Sequence, residues 1–134
     1  MEKRPGSYLG TEIEGKWWKR YRKDGFFARG NGEWWVEGGA LYFLRSLTRD
    51  PLVIPFDRVT EVKIGTWHAG RWILGRPIFK VLWSLDGLNL SSGFCLAEDR
   101  RKTMELLAEF ERWVQRARDR TGFPGKGEGS RRGG

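Results

Sequence analysis

Groups that could act as a base, a nucleophile or a metal ligand are few in this chain, and their spacing suits none of these roles. There is one histidine, His68, and one cysteine, Cys95. Acid–base or covalent turnover needs a base within hydrogen-bond reach of its partner, and a metal site needs several converging ligands. No second ligand is spaced to join His68 and no nucleophile signature lies beside it, so it reads as structural. Asp57 and Glu61 flank a predicted strand without forming an acid/base pair. Cys95 alternates onto the face opposite Phe94 and Leu96, with no activating neighbour in sequence, and reads as inert. Gly30-Asn31-Gly32 joins two predicted strands instead of opening a helix, so it is not a phosphate-cradling loop. These residues predict no catalysis, no metal and no small-molecule cofactor.

What the chain does carry is cations and indoles. Lys and Arg number 25 against 17 Asp and Glu, a net charge of +8, and there are eight tryptophans. Five of those cations and one anion lie between Lys16 and Asp24, half of the net charge. In an extended strand Lys16, Trp18, Arg20 and Arg22 share one face, while Trp17, Lys19, Tyr21 and Lys23 share the other. The first face suits phosphate contacts or an acidic peptide. The bland alternative is a solvated edge with a Trp packed under arginine, a cation–π contact.

A second candidate is the glycine-punctuated segment from Gly65 to Pro77, with Trp67, Arg71, Trp72 and Arg76. Its aromatics suit a membrane interface or a partner pocket, unless they fold back onto the domain. Trp35 is the third. It shares a strand face with Glu33 and Glu37, opposite Trp34 and Val36. If the latter face the core, Trp35 is a surface aromatic and a candidate partner contact.

These residues are set on short strands. Lys16 to Lys23 reads as a strand ending in an Asp24-Gly25 turn. Phe26 to Arg29 and Glu33 to Glu37 follow, separated by a turn at Gly30 to Gly32, and Gly38-Gly39 turns into Ala40 to Arg45. Leu52 to Ile54 is stopped by Pro55, since proline lacks the ladder donor. Val59 to Ile64 comes next. Ile78 to Leu85 alternates strictly, with Phe79, Val81, Trp83 and Leu85 on one face. Asp86-Gly87 turns into Leu88 to Leu96. From Glu98 to about Arg120 the chain is free of Gly and Pro, and Leu107, Phe110, Val114 and Ala117 form one apolar stripe flanked by Leu106 and Trp113. Glu98 and Asp99 in the first turn and Arg116, Arg118 and Arg120 in the last suit the helix dipole. Residues 1–15 read as a loosely ordered N-terminal arm, 16–120 as one domain and 121–134 as a disordered glycine-rich basic tail.

Many short strands followed by one amphipathic helix resembles the pleckstrin-homology superfold, with its GRAM-like and bacterial branches. The matching pieces are Gly39-Ala40-Leu41-Tyr42-Phe43, Leu52-Val53-Ile54-Pro55-Phe56 with Val59-Thr60-Glu61-Val62, the Asp86-Gly87 hairpin, and Trp113 on the closing helix. The resemblance implies a mainly β barrel of two orthogonal antiparallel sheets, about seven strands, capped by the C-terminal α-helix. It also implies cations near the first hairpin, where Lys19, Arg20, Arg22 and Lys23 lie. The next strand adds only Arg29, short of the basic pattern that bridges two strands in lipid-headgroup binders.

The expectation is a non-catalytic intracellular binding module that recognises a protein partner or an anionic surface. An anionic-membrane phospholipid adaptor is the alternative. A nucleic-acid binder comes third, favoured by charge and interleaved aromatics but without an RNA-binding strand motif. No apolar run approaches the roughly 20 residues of a membrane-spanning helix, and the N-terminus lacks the apolar segment of a secretory signal. The location expected is the cytoplasm.

Overall fold

The computed structural model describes residues 2–14, 16–20, 30–65 and 77–121, with 16–20 and 121 described by backbone alone. Within them lie β1 (Arg4–Ile13), β2 (Lys16–Arg20), β3 (Gly30–Glu37), β4 (Ala40–Arg45), β5 (Leu52–Pro55), β6 (Val59–Gly65), β7 (Ile78–Leu85), β8 (Leu88–Cys95) and the helix α1 (Arg100–Thr121). Seven strands form one antiparallel path, β5-β4-β3-β1-β8-β7-β6, and β2 pairs with β1 off that path. This is the mainly β, PH-like barrel with one C-terminal helix.

The N-terminal segment is not a loose arm. Arg4–Ile13 is the central strand, pairing with β3 through Arg4 to Tyr8 and with β8 through Ser7 to Ile13. A register shift between Tyr8 and Gly10 bends it, so one strand joins the β3–β4–β5 wing to the β8–β7–β6 wing. Bulges bend strands in this way. The sequence RPGSYLGTEI hides the strand because both faces of its second half are covered. Tyr8, Leu9, Thr11 and Glu12 are all buried, which erases the period-two signal.

Gly30 to Gly32 is likewise strand and not turn, with Gly30 opposite Tyr8, Asn31 opposite Ser7 and Gly32 opposite Gly6. Gly32 is there for close approach. A Cβ at that position would stand 2.0 Å from the Leu44 carbonyl oxygen of β4. The real turns are elsewhere. Gly38-Gly39 and Asp86-Gly87 both carry positive φ at their two central residues (56° and 78°, 51° and 79°), as two-residue type I′ hairpins require.

The helix begins two residues later than its charge pattern suggests. Asp99 lies outside it and caps it, its carboxylate accepting from the Lys102 backbone N–H at 2.8 Å. An N-cap uses the carboxylate on an otherwise orphaned donor. Its buried stripe is Thr103, Leu106, Phe110, Val114 and Ala117, while Leu107 is only partly buried.

The two ends of the strand path, β5 and β6, are joined by a 3₁₀ turn, Phe56–Arg58, and α1 packs on that turn and on β6. The helix therefore closes the side that strand pairing leaves open. Phe110, with no exposed surface, seats at the centre of this closure. Its ring lies 4.6 Å from Phe79, 5.1 Å from Trp113, 5.8 Å from Phe56 and 6.1 Å from Trp34. At the far end of α1, Arg118 donates to the carbonyls of Val59 and Thr60 at 3.2 and 2.9 Å, latching the helix to β6.

Inside the barrel the hydroxyls of Tyr8, Thr11 and Ser92 form a buried chain, and Trp83 Nε1 donates to Ser92 Oγ at 2.9 Å. Buried polar groups of this kind are costly unless paired. Here they satisfy one another across β1, β8 and β7.

Candidate functional site

Alternation along β3 decides the fate of its two tryptophans. Trp34 is fully buried and Trp35 turns to the opposite, outward side. Trp35 pairs with Tyr42 of β4, and Tyr42 pairs with Val53 of β5. Cross-strand partners share a sheet face, so the three side chains form one outward row. The Trp35 and Tyr42 rings stack at 5.3 Å with 7° between their planes. The indole is held on two further sides. Its Nε1 donates to Glu37 Oε1 at 3.2 Å, and the Lys3 ammonium sits 4.7 Å from the ring centroid. Leu44 lies on the same face, half-buried, opposite Glu33. The result is a rigid aromatic platform edged by two carboxylates and one ammonium. Tyr42, Val53 and Lys3 are invisible as members of it in sequence, because pairing register brings them together.

The free edge of this face is poorly suited to adding a strand from a partner. β5 has four residues, follows Pro51 and ends in Pro55, devices that blunt an edge.

The basic run is placed only by its backbone. Lys16, Trp18, Lys19 and Arg20 lie in β2, whose register on β1 is irregular: Lys16 stands opposite Ile13 and Arg20 opposite Glu12. Arg22, Lys23, Trp67, Arg71, Trp72 and Arg76, together with His68 and Arg29, lie outside the described residues.

The groups read as chemically silent are placed as follows. Cys95 is buried with Leu9 and Ile78, its thiol 3.9 Å from the Pro77 carbonyl oxygen. Among the described residues no cluster of His, Cys, Asp and Glu could hold a metal ion. Lys80, on the outer face of β7, has its pKa lowered by burial, offset by the Glu12 carboxylate and reinforced by Lys63. Among the described residues no helix is long and apolar enough to cross a membrane.

A family model described as bacterial PH domain-like matches residues 1–111. The chain belongs to that family. The match begins before β1 and runs into α1, so it takes in the N-terminal strand as part of the PH-like unit. No curated protein matches the chain. Members of this family are in general binding modules, and a PH-like barrel of this kind is a scaffold whose function resides in its surfaces.

Proposed function

We propose that this PH-like domain is a non-catalytic, cytoplasmic module that recognises a protein partner through the outer face of β3, β4 and β5. One observation carries the reading: an outward Trp35–Tyr42 stack already locked by Glu37 and Lys3. Rigid aromatics lose little entropy on binding and dominate interface energetics. The flanking carboxylates Glu33 and Glu37 favour a protein over an anionic bilayer, which they would repel. The second reading, an anionic-phospholipid adaptor, rests on the charge between Lys16 and Lys23, and a nucleic-acid partner would draw on the same charge.

The test is a photo-crosslinking residue placed at Tyr42 or Val53 in the native cells. One protein should crosslink from both positions, and Trp35→Glu should abolish it. Crosslinks to lipid alone, or a protein adduct unaffected by Trp35→Glu, would overturn the reading.

A further inference from the structure

The chain carries 25 lysines and arginines, yet the outward positions of β3, β4 and β5 hold none of them. Alternation from Trp35 places Glu33 and Glu37 on that face, and both are exposed. Glu37 adjoins the Gly38-Gly39 turn. Glu33 stands about 14 Å farther along β3, four residues at the usual strand rise. The Trp35–Tyr42 stack lies between the two carboxylates. Glu37 Oε1 takes the indole donor, and a carboxylate has room for further donors. In a chain of net charge +8, this acidic-edged aromatic row suits a basic segment running along β3.

One such segment follows α1, and the helix ends beside the same turn. Arg118 holds the helix end to Val59 and Thr60. Two residues on, the Arg120 guanidinium lies 3.5 Å from where a Cβ on Gly39 would stand. A Cβ on Gly38 would meet nothing within 4 Å, so among the described residues no side chain bars the way around the turn to the aromatic face. The next thirteen residues, 122–134, lie outside the described ones; their sequence, GFPGKGEGSRRGG, sets Lys126, Arg131 and Arg132 against Glu128. Extended, that length reaches about 45 Å, and a glycine-rich chain of it averages about 20 Å end to end. The path along β3 from Gly39 to Trp35 is about 14 Å. Lys126 precedes Arg131 by five residues, about 17 Å extended, enough to cover the span from Glu37 to Glu33.

We propose that residues 122–134 dock on the β3–β4–β5 face of their own chain and compete there with the protein partner. Lys126 pairs with Glu37, and Arg131 or Arg132 pairs with Glu33. The proposal rests on the reading of that face as the recognition surface and adds how access to it is regulated. Tethering holds the tail at a local concentration of the order of millimolar, so exposed ion pairs that are individually weak suffice to keep it docked for part of the time. A partner that binds tightly displaces it, and salt, which screens exposed pairs, loosens it.

The test is paramagnetic broadening in the full chain, with a nitroxide carried on Ser130→Cys; Cys95 is buried and shielded from the label. The readout is the Trp35 indole N–H signal in a nitrogen–proton correlation spectrum, assigned through Trp35→Phe. The comparison is the same labelled chain bearing Lys126→Glu, Arg131→Glu and Arg132→Glu, whose tether length is identical. Charge reversal should lower the docked-to-free ratio about fivefold, the order that two exposed ion pairs supply. The Trp35 signal should therefore broaden strongly in the first chain and weakly in the second, and Glu33→Gln with Glu37→Gln should remove the same broadening. Equal broadening in all three chains, the mark of a tail that is tethered and not docked, would overturn the proposal. So would equal broadening of an isotope-labelled chain mixed with a separate spin-labelled one, which would put the tail on a second copy. No partner is needed, so this test succeeds or fails independently of the photo-crosslinking that tests the face itself.

Discussion

Truncating Phe110 to alanine tests whether α1 is a structural closure of the barrel or an appendage. The ring is fully buried and meets Phe79, Trp113, Phe56 and Trp34, so four aromatic neighbours lose a partner at once. Phe→Ala in a core costs about 3–5 kcal/mol. The edge-to-face contacts with Phe79, Trp113 and Phe56 place Phe110 at the upper end of that range, since such pairs add about 0.5–1.5 kcal/mol each. A domain of this size has a total stability of about 5–15 kcal/mol, so a third or more of it should vanish. The midpoint of thermal unfolding should fall by about 10–20 °C. Phe110→Leu keeps much of the volume and should fall between the two, while Met104→Ala, on the exposed side of the same helix, should change stability by less than about 0.5 kcal/mol. Urea denaturation followed by far-ultraviolet circular dichroism measures all three. A loss below about 1 kcal/mol for Phe110→Ala, with an unchanged denaturant slope, would refute the helix as the element that seals the β5–β6 opening.

Three further outcomes follow from single positions. Gly32→Ala drives a Cβ to 2.0 Å from the Leu44 carbonyl oxygen, a backbone clash that should cost at least about 3 kcal/mol; a thermal melt unchanged from wild type would contradict the β3–β4 register. Leu47 is fully exposed at φ 66° in the turn closed by Thr48 N–H to the Arg45 carbonyl at 3.1 Å, so Leu47→Asn should raise stability by about 0.5–1 kcal/mol, because asparagine tolerates the left-handed region. Lys80 has a folded pKa below its unfolded one, so the folded state sheds its proton first and Lys80's contribution to stability rises as pH climbs from its folded to its unfolded pKa. Lys80→Met should flatten that alkaline rise in pH-dependent urea midpoints, and an identical pH profile in both proteins would refute the assignment.

The hairpins were legible because their chemistry is local. Asp86-Gly87 fixes a turn by backbone preference alone, and Ile78 to Leu85 alternates because one of its faces lines the core. The helix was legible for the same reason, up to its first turn, where Asp99 serves as cap and not as a dipole charge. β1 was not legible. Its second half is buried on both sides and interrupted by a bulge, so periodicity carries no trace of the strand at the centre of the sheet. Gly32 misleads for a related reason, since glycine serves close backbone approach as well as turns. Of the candidate site, sequence alternation separates Trp35 from Trp34, yet the stack with Tyr42 and the capping Lys3 depend on cross-strand register.

The claim that the β3–β4–β5 face recognises a protein is tested most directly by comparing two variants in one binding measurement. Trp35→Ser removes the locked aromatic, and the triple change Lys16→Glu, Arg20→Glu, Arg22→Glu reverses the basic run. Titration calorimetry against the crosslinked partner, with sedimentation of phosphatidylserine-containing vesicles alongside, gives the decision. The account predicts that Trp35→Ser weakens partner binding at least about 30-fold, the loss of about 2 kcal/mol typical of a buried aromatic hot spot, while the triple variant still binds the partner. Partner affinity untouched by Trp35→Ser, together with vesicle binding that the triple variant abolishes, would contradict it and make the domain an anionic-membrane adaptor.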